Sequence, residues 1–149
     1  INLIERCCYE DLAFLNNRRL HDIVRVQMEL GEPVQKSVLI VDDNSDLRTL
    51  LHYALEPEGF KILLASNGKE ALDVLSANEP PGLIILDLMM PVMSGWEFLD
   101  QKKLMPHLAP IPVLVCSASK DNSPQGVQFL IKPLDLDVLI EIVQRHCGT

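Results

Sequence analysis

The sequence predicts an α/β fold, a doubly wound parallel sheet of five strands with helices on both faces, and three observations lead to it. From residue 37 onward short apolar runs alternate with amphipathic stretches, the pattern of strand, helix, strand, helix. The runs SVLIV (37–41), FKILLA (60–65), GLIIL (82–86), IPVLVC (111–116) and QFLI (128–131) are apolar nearly throughout rather than alternating, so they must be covered on both faces. The stretches between them open on Asn, Ser or Asp and close on Pro or Gly, the punctuation of helices.

Each element follows in order. Asn44 or Ser45 can cap a first helix whose Leu47, Leu50, Leu51, Ala54 and Leu55 recur at helical spacing before Pro57 and Gly59 end it. Asn67-Gly68 turns the chain into a second helix with Ala71, Leu72 and Leu75 on one face. A third helix starts near Ser94, carries Trp96, Phe98, Leu99 and Leu104, and stops at Pro106. Asp135 can cap a last helix with Val138, Leu139, Ile142, Val143 and Cys147 turned inward.

Composition sets the outer bounds. The chain has 149 residues, 48% hydrophobic and 23% charged, enough for one domain with an appendage. No apolar run approaches the ~18–20 residues of a membrane span and no signal peptide is recognisable, so a soluble, cytoplasmic protein without membrane partners is expected. Cys7, Cys8, Cys116 and Cys147 have neither CxxC nor Cys/His ligand spacing, and free thiols are the expectation. The net charge of −8 is uneven: residues 1–36 hold five basic against six acidic side chains, and residues 37–149 hold eight against fifteen. An acidic surface repels phosphate backbones, which argues against direct nucleic-acid binding.

In a doubly wound sheet the functional crevice lies off the carboxyl ends of the strands. Strand one ends in Asp42-Asp43, strand three in Asp87, strand four in Ser117 and strand five in Lys132-Pro133. Asp87 is the one acid in IILDLMMP, and ending its strand moves it out of the core and onto that crevice. Three carboxylates at one edge repel by about 4 kcal/mol per pair at an effective dielectric near 20, so a cation must join them. Mg²⁺ prefers oxygen ligands and usually takes one or two carboxylates, here Asp43 and Asp87. A carboxylate can also attack a phosphoryl group, a transfer that needs positioning and charge neutralisation more than a base. Lys132 can neutralise one side of the transferred group, and the Ser117 hydroxyl can donate to one of its oxygens.

The segments LIVDDN (39–44), LDLMMPVMSG (86–95), VLVCSAS (113–119) and FLIKPLD (129–135) resemble the receiver domain of two-component response regulators, over residues 37 to 147. The resemblance implies a flavodoxin-like sheet in the order 2-1-3-4-5, with Asp87 as phosphoacceptor and Asp42 and Asp43 holding Mg²⁺, one of them through water. It further implies that the backbone carbonyl of Met89 ligates the metal, that Ser117 and Lys132 grip the phosphoryl group, and that Phe129 is the aromatic whose rotation reports phosphorylation. The implied phosphodonor is a histidine kinase or a phosphotransfer protein, and the implied output is a conformational switch read by a protein partner.

Two positions depart from the family pattern. Ser94 stands where such motifs often have Asp, in a turn. Between Ser117 and Phe129 lie only eleven residues, ASKDNSPQGVQ, with a Pro, a Gly and no apolar helical repeat. A parallel crossover usually uses a dozen residues or more with a helix, so the fourth helix of the family is expected to be shortened or missing, with at most about one turn. Of the alternatives, an aspartate-nucleophile phosphatase commonly needs a general acid two residues after its nucleophile, where this sequence has Met89. A signalling switch rather than a turnover enzyme is the reading; a stand-alone regulator and the C-terminal receiver of a hybrid histidine kinase fit it equally.

Residues 1–36 lie outside the resemblance, and the expected boundary sets them apart from a receiver domain at 37–149. Ile1, Ile4, Cys8, Leu12 and Leu15, then Leu20, Ile23 and Val24, recur at helical spacing before Gly31 and Pro33. The expectation is a helical extension and linker that joins domains or makes a homodimer. His21-Asp22 has the form of a phosphodonor pair, but nothing after it continues such a motif, and a surface histidine is the reading.

Overall fold

Val38–Val41 and Leu83–Leu86 carry no polar side chain and are buried along their whole length, as strands covered on both faces must be. They form the centre of the sheet in a computed structural model that describes residues 36–148. The elements run β1 (Val38–Val41), α1 (Ser45–Leu55), a 3₁₀ turn (Glu56–Glu58), β2 (Ile62–Ala65), α2 (Gly68–Ala77), β3 (Leu83–Leu86), α3 (Gly95–Leu104), β4 (Val113–Ser117), β5 (Gln128–Ile131) and α4 (Leu136–Cys147). The five strands are parallel in the order β2-β1-β3-β4-β5, the order expected from the sequence.

Alternation along the central strands divides the core in two. Val38, Ile40, Leu83, Ile85, Leu114 and Cys116 meet Leu51, Leu55, Leu139 and Val143 of α1 and α4 on one face. Leu39, Val41, Ile84 and Leu86 meet Ala71 and Leu75 of α2 and Phe98 and Leu99 of α3 on the other. Phe98 is wholly buried and pins α3; truncating such a ring to Ala costs about 3–5 kcal/mol.

The helix starts are built by side-chain caps. The Asn44 Oδ1 accepts from the amides of Asp46 (2.9 Å) and Leu47 (3.1 Å), and Asn67 accepts from Glu70 (2.9 Å). Ser94 and Glu97 form a reciprocal capping box, so serine in place of the family's frequent Asp starts α3 without loss. Asp135 caps α4 by accepting from Asp137 (3.0 Å) and Val138 (3.3 Å).

Three expectations need correction. Val138 does not face inward but is 40% exposed, because it lies in the first turn of α4 beside the inward face set by Leu139, Ile142, Val143 and Cys147. The outer strands are not covered on both faces: Leu64 of β2 and Ile131 of β5 are exposed, as befits the two edges. Leu104, at the last turn of α3, is exposed as well. The missing helix is as expected, since no helix occurs between Ser117 and Gln128. Instead the crossover is a loop with turns, Asn122 having φ +61°, and the Trp96 indole N–H donates to the Asn122 carbonyl at 2.9 Å. Residues 1–35 lie outside the described residues, so the helical extension, its dimer role, His21, Cys7 and Cys8 stay as expectations. Cys116 and Cys147 are free and buried.

Candidate functional site

The parallel register brings the chain's polar strand ends to one edge. Asp42 and Asp43 follow the last residue of β1, Asp87 follows β3, Ser117 ends β4 and Lys132 follows β5. The Asp87 amide donates to the Val41 carbonyl (2.9 Å) and the Lys132 amide to the Ser117 carbonyl (2.9 Å), so sheet bonding continues into the site and fixes these residues against one another.

Asp42, Asp43 and Asp87 each offer a carboxylate oxygen, and these atoms lie within 4.8 Å of one another. Asp42 is buried with both oxygens engaged: Oδ1 accepts from the Asn44 amide at 2.9 Å and Oδ2 from the Lys132 ammonium at 2.7 Å. Lys132 lies 3.7 Å from Asp87 Oδ1. Asp43 is exposed and makes no ion pair among the described residues. The two acids of the pair are therefore not equivalent, one already spent on the protein and the other open to solvent.

Asp87 is 6% exposed. Burial pushes its carboxyl above the ordinary value, the Asp42 charge pushes the same way, and Lys132 and the Met89 and Leu88 amides offset part of the rise. Burial pushes the Lys132 ammonium down but is outweighed by the Asp42 hydrogen bond and the charges of Asp42 and Asp87, which leave it raised. Burial pushes the neighbouring Cys116 thiol up to about 12, so it stays protonated and inert. Ser117 is buried beside the site; Phe129 is half-buried and pairs with Val115 across β4 and β5, while Met89 lies 69% exposed.

One participant escaped the sequence reading. Arg48, in the second turn of α1, donates to the Asp42 carbonyl at 2.6 Å and so holds the backbone of the acidic pair. Its signal was faint: a lone arginine six residues past Asp42, on a helix read only for its apolar stripe.

The sequence matches the response regulator receiver domain over residues 38–144. The chain belongs to that family. Its solved relatives include the chemotaxis protein CheY4 of Vibrio cholerae, with a TM-score of 0.67 and 28% identity over 76% of this chain and 99% of that one. The alkaline phosphatase synthesis transcriptional regulatory protein PhoP of Bacillus subtilis is 40% identical over 60% of this chain and 36% of its own length. A probable cyclic di-GMP phosphodiesterase of Vibrio cholerae is 31% identical over 96% of this chain, which spans 33% of that protein. The chain is thus a receiver domain of two-component signalling, a phosphoacceptor switch. Receiver domains take phosphate from histidine kinases or phosphotransfer proteins and bind Mg²⁺ at an acidic pocket, and the all-oxygen donor set of the Asp cluster fits that ion. No helix among the described residues is long and apolar enough to cross a membrane.

Proposed function

We propose that Asp87 is the phosphoacceptor of this receiver and that Asp43, Asp87 and the Met89 carbonyl hold Mg²⁺ directly, with Asp42 reaching it through water. What carries the reading is the unequal engagement of the acids: Asp42 is bound to Lys132 and Asn44, Asp43 is exposed without an ion pair among the described residues, and both have a carboxylate oxygen within 4.8 Å of one on Asp87. Bound there, Mg²⁺ supplies positive charge beside the phosphoryl oxygens.

An Asp87 oxygen attacks the phosphorus of a phosphohistidine on a histidine kinase or phosphotransfer protein. The P–N bond breaks, its electron pair leaves with the imidazole, which takes up a proton, and an acyl phosphate forms on Asp87. Lys132, 3.7 Å from Asp87, neutralises one phosphoryl oxygen, and the Ser117 hydroxyl donates to another. Water later attacks the phosphorus and returns the free carboxylate, so the chain catalyses only its own phosphorylation and dephosphorylation. Movement of Ser117 toward the phosphoryl group passes along β4 to Val115 and across to its β5 partner Phe129, and a downstream protein partner reads the altered face. Residues 1–36 serve as an extension distinct from this switch, a place for a homodimer contact; the family match beginning at residue 38 supports that division.

A small radiolabelled phosphodonor with Mg²⁺ tests the proposal. The full chain takes up label that is lost in alkali and in hydroxylamine, and Asp87→Asn takes up none; alkali-stable label, as on a histidine, or label retained by Asp87→Asn points instead to a different acceptor.

A further inference from the structure

Lys102 is 6% exposed. Its ammonium donates to the Ala109 carbonyl at 2.9 Å and has no ion-pair partner among the described residues. A buried ammonium without a carboxylate is costly, and burial followed by the charge of Lys103 holds its pKa below the ordinary value. Such a group gains from an anion brought to it.

Lys102 and Lys103 line a groove of about 360 Å³ between α3 and the segment that enters β5. The crossover that borders it through Gly126 and Val127 contains no helix. Leu99, Ile111, Val113 and Val127 make much of its lining apolar. A second depression shares Ile111, Pro112 and His146 with it and adds Lys36, His107 and Arg145. Among the described residues no Asp or Glu lines either one, although residues 37–149 hold fifteen acids against eight bases. Arg145 already has Glu141 at 3.2 Å, so among the described residues Lys102 and Lys103 carry charge that no acid answers. Val113 and Gln128 open β4 and β5, whereas Ser117 and Lys132 mark their far ends, so the groove lies about 13 Å of strand from the acidic site at 3.3 Å per residue.

We propose that this groove docks an acidic segment of a protein partner, whose carboxylates pair with Lys102 and Lys103 while its apolar side chains cover Leu99, Ile111 and Val127. A free phosphate would leave the apolar lining in water, and a nucleic acid would lay a continuous run of phosphates over the acidic surface beyond the groove, whereas a short segment confines its few carboxylates to the lysines. Because the groove lies apart from Asp87, its occupancy can be tested independently of phosphorylation.

The test is selection of a displayed random peptide library on the immobilised full chain. Enriched sequences carry Asp or Glu interspersed with apolar residues, and a synthetic peptide of that sequence shifts the amide signals of Leu99, Lys103 and Val127. Its affinity falls about ten-fold or more in Lys103→Glu, an exposed and foldable substitution, and a peptide with Lys in place of its acids recovers binding to that variant. Absence of enrichment, acid-free sequences, affinity unchanged in Lys103→Glu, or pyrophosphate or duplex DNA displacing the peptide from the groove at lower concentration than the peptide itself overturns the proposal.

Discussion

The Lys132 ammonium sits 2.7 Å from Asp42 and 3.7 Å from Asp87, so before any phosphoryl group arrives it is held by the acid of strand one. Asp42 is buried, and the Lys132 side chain is 24% exposed. Removing Lys132 leaves a buried carboxylate with only the Asn44 amide to satisfy it. Lys132→Ala is therefore expected to cost about 2 kcal/mol in urea unfolding with chelator present, less than the full loss for a wholly buried pair because water reaches the lysine. Asp42→Asn placed on top recovers much of that loss, and a double variant as unstable as the single one contradicts the pairing.

The unequal acids predict unequal metal losses. Asp43→Ala should weaken Mg²⁺ binding about 100-fold or more, since it removes a direct ligand, and Asp42→Ala about 10-fold, since that carboxylate reaches the metal through water. Titration of the two variants side by side checks this, and equal losses contradict the assignment of direct and water-mediated roles.

The raised carboxyl of Asp87 gives a pH dependence of definite sign. In metal-free protein the folded state holds this proton at a higher pH than the unfolded chain does, so stability from this group is greatest in acid and is lost as pH rises from the ordinary value of 3.8 through the raised one. Asp87→Asn removes the penalty. The variant should unfold at higher urea than the wild type at pH 7, and the difference should shrink toward zero near pH 3. A destabilised variant at pH 7 contradicts the burial argument.

The loop that leaves Asp87 contains two opposite backbone problems. A Cβ at Gly95 would run into the Asp87 carbonyl oxygen and the Leu88 Cα, backbone atoms that cannot yield without moving the acid. Gly95→Ala should cost about 2 kcal/mol and reduce phosphorylation as well. Val92, by contrast, is exposed with φ +70°, a left-handed conformation that a β-branched side chain resists. Val92→Gly should raise stability by about 1 kcal/mol in thermal unfolding, and a loss there contradicts the strain.

Much of this architecture was legible because its signals are local. LIIL and VLIV have no polar residue to turn toward water, so their burial on both faces was forced, and Asn44, Asn67, Ser94 and Asp135 announced their helices by type and position. The absent helix was equally readable, since the residues between Ser117 and Phe129 are too few and too irregular. What stayed hidden depends on side chains meeting from distant parts of the chain. That Lys132 would bind Asp42 more closely than Asp87, that Arg48 would hold the Asp42 carbonyl, and that Trp96 would tether the crossover at Asn122 are facts of geometry that no spacing encodes. Val138 shows the same limit: it fits the helical period, but which face α4 buries is set by Leu139, Ile142, Val143 and Cys147.

Reduction by borohydride reports where the acyl phosphate forms, and Asp87 is the position expected. An aspartyl-phosphate is reduced to homoserine whereas a free carboxylate is not, so mass spectrometry of peptides from phosphodonor-treated, Mg²⁺-loaded protein locates the acceptor. Homoserine is predicted at position 87, and at none of Asp42, Asp43 or Asp121. Homoserine at any of those positions with Asp87 intact contradicts the account.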